Sequence, residues 1–100
     1  MPAPAIHPGE HLQEELEALN LTAAALARKL RVPPNRITQI LNGTRDITAD
    51  TALRLGRFFG TTAEFWLNLQ ALHDLRLAEQ SAGRAISALP TIKALNHANN

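Results

Sequence analysis

The sequence predicts an all-α domain of about five helices built around a helix-turn-helix, and three observations carry that expectation. Residues 22–43, TAAALARKLRVPPNRITQILNG, hold two short segments separated by a proline pair, without one acidic side chain. Leu26, Ala27 and Leu30 form an apolar stripe on the first segment. Ile37, Ile40 and Leu41 form another on the second, both at the i, i+3, i+4 spacing of a helix buried along one side. The third observation is punctuation: residues that start or stop helices recur along the chain at Pro8, Thr22, Asn42-Gly43, Thr48 and Gly60. With 100 residues, 45% of them hydrophobic, the chain makes one modest core.

Residues 1–5 contain two prolines, and the first six residues read as a flexible arm. A first helix is expected over 8–19, with Pro8 at its first position and Glu10 near the positive end of its dipole. Leu12, Leu16 and Leu19 form its core stripe. Thr22 is placed to cap the second helix. That helix ends at Arg31-Val32-Pro33-Pro34, because Pro33 disfavours a helical Val32, whereas Pro34 can open the next helix without needing a donor. Ala27 is small where the two helices of such a motif cross. The third helix spans 34–41 and stops at Asn42-Gly43. A loop, Thr44-Arg45-Asp46, precedes a fourth helix over 48–59, capped by Thr48, with Asp50 in its first turn and Leu53, Leu55 and Phe58 as apolar contacts. Gly60 ends it, and Thr61 or Thr62 caps a fifth.

The fifth helix carries Phe65, Trp66, Leu67, Leu69, Leu72, Leu75 and Leu77, which cover more than one stripe. A helix apolar on two faces has a second surface to bury, so self-association through Trp66, Leu69, Leu72 and Leu75 is expected. After Gln80 amphipathicity weakens. Residues 7–80 are therefore read as the domain and 81–100 as a partly ordered appendage that docks on the domain or orders on a partner.

Net charge is only +1, but its distribution is uneven. Glu10, Glu14, Glu15 and Glu17 crowd the first helix, whereas Arg28, Lys29, Arg31, Arg36 and Arg45 are the only charges between Ala18 and Arg45. Basic residues gathered on a helix-turn-helix are the footprint expected for phosphate contacts. With Ile37, Ile40 and Leu41 inward, a 100° step per residue puts Asn35, Gln39 and Asn42 outward, with Arg36 and Thr38 on the flanks. Asn and Gln pair bidentately with adenine and Arg with guanine. Asn35, Thr38 and Gln39 are thus expected to read bases, and Arg36 either a base or a phosphate. Thr44 and Arg45 are placed for backbone contacts, with Arg28 and Lys29 as further phosphate ligands. Asn42 more naturally serves the helix end.

Other constellations point to no chemistry. His7, Glu10 and His11 do not form the HExxH arrangement that puts two imidazoles and a base on one helix face; a capping and a surface histidine account for the pair. His73 and His97 have no partner in sight. The glutamates of the first helix read as a solvated face, and the aromatic residues Phe58, Phe59, Phe65 and Trp66 as core packing. There is no phosphate loop and no nucleophile elbow, so an enzyme is not expected, nor a cofactor or metal. Zero cysteines exclude disulfides and thiolate sites. The start lacks the regions of a signal peptide, and no apolar run reaches the ~18 residues of a membrane span. A cytoplasmic protein without membrane contact is expected, associated with the nucleoid when bound to DNA.

HPGEHLQEEL, followed by LARKLRVPPNRITQILNGTRDITADTALRLGRFFGTTAEFWLNLQALHDL, resembles the HigA-type antitoxins. These belong to the XRE-like helix-turn-helix regulators, whose fold is like that of phage repressors. The resemblance covers His7 to Leu77. It implies a homodimer that represses its own operon through an inverted-repeat operator and neutralises a RelE-like mRNA-interferase toxin encoded beside it. It also places DNA contacts at Asn35, Arg36, Thr38, Gln39, Thr44 and Arg45. Half-sites would lie about 34 Å apart, truncating Gln39 or Asn35 would relax specificity, and Arg45→Ala would weaken all sequences alike. Two other readings keep the fold: a stand-alone XRE-type repressor without a toxin, and an interaction module with a vestigial helix-turn-helix. One departure stands out. Arg31 occupies a turn position often held by glycine, where a left-handed backbone would cost on the order of 1 kcal/mol.

Overall fold

The structure, a computed structural model, describes residues 3–98, with side chains as far as residue 95. The outermost residues of the arm and of the appendage, and the side chain of His97, lie outside it. Among the described residues six helices follow one another: α1 (Pro8–Leu19), α2 (Ala23–Leu30), α3 (Pro34–Leu41), α4 (Ala49–Phe59), α5 (Ala63–Ser87) and α6 (Ile92–Ala98). The all-α expectation holds, with a sixth short helix added beyond the expected five.

Local chemistry sets most boundaries. The His7 imidazole accepts from the Gly9 amide to cap α1 (2.9 Å), Thr22 accepts from Ala25 to cap α2 (3.1 Å), and Thr62 accepts from Phe65 to cap α5 (3.1 Å). Pro34 opens α3. Arg31 caps the end of α2 with φ 57° and ψ 49°, the left-handed conformation foreseen for that turn. Arg31→Gly is therefore expected to stabilise the protein by about 1 kcal/mol, because glycine reaches this region without the Cβ clash. A thermal melt checks it: the variant should unfold several degrees above the parent, as ~1 kcal/mol implies for a domain of this size.

The core lies where α1, α2, α3, α4 and the start of α5 meet. Leu12, Leu26, Ile37, Ile40, Leu55 and Trp66 are its largest wholly buried side chains apart from Pro8, each contributing about 1.5–3 kcal/mol through burial, more for the indole. Ala27, wholly buried, lets α2 and α3 cross closely. Gly9 does the same for α1 and α3: a Cβ there would collide with the Ile40 carbonyl. Three expected core positions point outward instead. Leu19 is exposed in the last turn of α1, and Leu53 and Phe58 are exposed on α4, where Ala52 and Leu55 take the inner face and Phe58 keeps an edge contact with Phe59.

The fifth helix does not end near residue 80. It runs 25 residues to Ser87, about 37 Å at 1.5 Å per residue, because no proline or glycine cap interrupts it before Pro90. Trp66 and Gln70 are its buried residues. Its second half and α6 extend away from the core, and the molecule measures 63 × 23 × 21 Å.

Candidate nucleic-acid interface

α3 sits with Ile37 and Ile40 buried and Leu41 half-buried, so its opposite face is polar. Asn35, Thr38 and Asn42 are exposed and Gln39 is half-buried, the outward set expected from helical geometry. Thr38 turns its hydroxyl back to the carbonyls of Asn35 (3.3 Å) and Pro34 (3.4 Å).

The loop after α3 is fastened to Gln39 three times. Gly43, at φ 77°, reverses the chain. The Thr44 amide and hydroxyl then donate to the Gln39 carbonyl at 2.9 and 3.2 Å, and Arg45 Nε donates to the Gln39 side-chain oxygen at 2.8 Å. Farther along, the Ile47 amide donates to the buried Gln70 Oε1 (2.7 Å), tying the loop to α5. A buried glutamine in a helix carries no sequence signature of this role, and Gln70 went unforeseen.

Arg36 is turned toward α4. It donates to Asp50 Oδ2 at 2.6 Å, and Arg54 Nε donates to the same oxygen at 2.9 Å. These hydrogen bonds, Arg54 first, hold the Asp50 carboxyl below its usual range. Arg54 also reaches the Leu30 carbonyl (2.8 Å), satisfying an orphan acceptor at the end of α2. Asp50 and Arg54 therefore brace both helices of the motif. The i, i+4 spacing of these two residues was readable in the sequence; their reach to α2 and α3 was not. Arg28 and Lys29 are exposed in the last turn of α2, where they complement its dipole. Lys29 lines a groove against α4 together with Arg54 and Arg57.

Trp66, expected both in core packing and on a self-association surface, is 1% exposed and belongs to the core. Its Nε1–H donates to Thr61 Oγ1 (2.9 Å), and its ring packs on Phe59 and Phe65. Leu69 is half-buried against the same core. Leu72 and Leu75, 47% and 60% exposed, remain as the open part of that set.

His73 does have a partner: its ring lies edge-on to His7, centroids 4.9 Å apart. His7 is buried beside the loop after α3, and neither its Nε2 nor His73 Nδ1 has a hydrogen-bond partner among the described residues. Burial, and then the His73 ring, lower the His7 pKa below 6.5, with Asp46, the Arg45 backbone and Glu10 opposing. The folded state thus resists a proton that the unfolded chain accepts as pH falls through about 6.5. Stability is unaffected above that value and falls below it. Melting curves should show a lower Tm at pH 5.5 than at pH 7.5. His7→Asn, which keeps a capping side chain, should shrink that drop; an identical drop in the variant would remove His7 as its source.

Fold and surface define a helix-turn-helix domain that presents a polar recognition helix flanked by basic residues. A family model described as helix-turn-helix matches residues 12–66. The chain is 58% identical over 78 residues to virulence-associated protein I of Dichelobacter nodosus, covering 77% of this chain and 72% of that one. Its structure superposes with a TM-score of 0.87 on an addiction module antidote protein of a HigA family from Coxiella burnetii. That protein is 54% identical, with 89% of this chain and 98% of the other covered. The Pseudomonas aeruginosa antitoxin HigA, solved with the higBA promoter, is 41% identical with a TM-score of 0.84, covering 89% and 99%. The chain belongs to the HigA family of helix-turn-helix antitoxins.

Among the described residues no helix is long and apolar enough to cross a membrane.

Proposed function

We propose that this chain is a cytoplasmic antitoxin that represses its own operon as a homodimer, binding an inverted-repeat operator through α3, and that it neutralises a RelE-like mRNA-interferase toxin. The observation that carries the DNA-binding part is the outward polar face of α3. Asn35, Thr38 and Gln39 stand on a helix whose other face is locked in the core, on a fold shared over nearly its whole length with an antitoxin solved with its promoter. Thr44 and Arg45, with Arg28 and Lys29, supply donors and charge for the phosphate backbone. Arg36 contributes its charge at the edge of this surface from its place on Asp50. Leu72 and Leu75, continued by Ile86 on the same helix, supply an apolar surface for the second copy. In this reading residues 1–6 are an arm, 7–80 the DNA-binding unit, and 81–100 an appendage that serves the dimer and extends α5.

Two measurements test it. Tagged protein purified from its native cells should bring down a small basic protein at fixed stoichiometry; recovery without one would leave a stand-alone repressor. The purified protein should then bind the DNA upstream of its own reading frame with steep salt dependence, because phosphate contacts release counterions. Salt-independent or absent binding would leave only an interaction module.

A further inference from the structure

We propose that Arg45 sets the base preference of Gln39, making it a reader of guanine where a free glutamine would take adenine. This rests on the reading of α3 as the recognition helix. The glutamine amide has two ends, an acceptor oxygen and a donor NH2, and a free side chain uses both on adenine: its oxygen accepts from N6 and its nitrogen donates to N7. In this structure one lone pair of the acceptor end is already engaged. Arg45 Nε lies 2.8 Å from Gln39 Oε1, and because a guanidinium can only donate, it fixes which end of the amide is oxygen. The end left wholly free for a partner is the NH2 group, and the remaining lone pair of the oxygen has a cation beside it, which disfavours a second donor there.

That pair faces the groove as a cluster of donors. An adenine N6 amino group brought against it would point a donor at the Arg45 cation and the Gln39 NH2, with only the second lone pair of Oε1 to accept it. Guanine offers O6 at the same place and N7 beside it, both acceptors, so the Gln39 NH2 and a free N–H of Arg45 can each find a partner. The pair is also held in advance of binding. Thr44 bonds twice to the Gln39 carbonyl, and the turn at Gly43 returns the loop onto α3, so fewer rotamers of Gln39 are lost on docking. Arg45 is exposed, and its side chain makes no other hydrogen bond among the described residues. It therefore acts on specificity through Gln39 in addition to the charge it offers the phosphate backbone.

The test uses the full-length protein and duplexes carrying the DNA upstream of its reading frame, each base pair of one half-site exchanged in turn, with affinities read by fluorescence anisotropy. Gln39→Ala identifies the base pair that Gln39 reads, as the position where its preference flattens. There the parent should favour guanine over adenine by on the order of tenfold. Arg45→Ala should abolish or invert that preference while changing affinity for unrelated duplex only a few-fold, and Q39A/R45A should match Q39A in its base profile. A parent that favours adenine there overturns the proposal, as does an Arg45→Ala variant that weakens every duplex equally with the profile intact. In both cases Gln39 still reads a base. If Gln39→Ala leaves the whole profile unchanged, the base-reading role of α3 at this residue fails, and the proposal with it.

Discussion

Leu75→Glu should leave the domain folded, convert a dimer to a monomer, and lower affinity for a two-half-site operator by at least about 100-fold. Leu75 is 60% exposed on a part of α5 that lies beyond the last buried residue of that helix, Gln70. A carboxylate therefore costs the monomer little. In a dimer joined there, the same carboxylate would lose its water without gaining a partner, which costs several kcal/mol. The loss in DNA affinity follows from linkage of the two half-sites. Joining two binding modules raises overall affinity by ~10²–10⁴ without new contacts, and a monomer forfeits that factor. Sedimentation should give the monomer mass, and binding to an isolated half-site should be unchanged. A variant that sediments as a dimer would place the interface elsewhere.

Trp66→Ala is expected to have the opposite profile: a loss of about 3–5 kcal/mol in folding stability, seen in denaturant unfolding. The indole is 1% exposed and is the largest wholly buried side chain, packed between Phe59 and Phe65 with its N–H bonded to Thr61. Its removal opens a cavity at the junction of α4 and α5 and breaks the bond to Thr61. Domains of this kind are stable by only ~5–15 kcal/mol, so much of the protein would be unfolded at moderate temperature. The two substitutions separate the roles of one helix: the first turns of α5 are core, and its continuation is surface.

Much of the fold was legible because its signals act over one helical turn. Apolar periodicity found Leu26, Ala27, Leu30, Ile37 and Ile40, all buried. Capping chemistry found Thr22, the proline opening α3 and, as one of two threonines, Thr62, whereas Thr48 stands at its expected N-cap without a side-chain cap bond. The errors arose where that local pattern permits two arrangements. Leu19 and Leu53 keep helical spacing with buried neighbours yet lie on the outer edge of their stripes. On α5 apolar residues surround the helix, so periodicity gave no rule for dividing core from exposed face, and Trp66 was read as belonging to both. Its bulk is what the junction of α4 and α5 needed.

The candidate site divides in the same way. Which residues of α3 face outward follows from a 100° rotation and an apolar stripe, and so was set by the sequence alone. What those side chains bond to was set by tertiary structure. Arg36 meets Asp50 across 14 residues, Ile47 meets Gln70 across 23 and Arg54 meets Leu30 across 24. His7 meets His73 only because α1 and α5 pack together. Helix identity, caps and polar faces depend on interactions within about four residues, which the chain order states directly. The partner of a long polar side chain depends on which helices come close, and that is decided by how the core fills its volume.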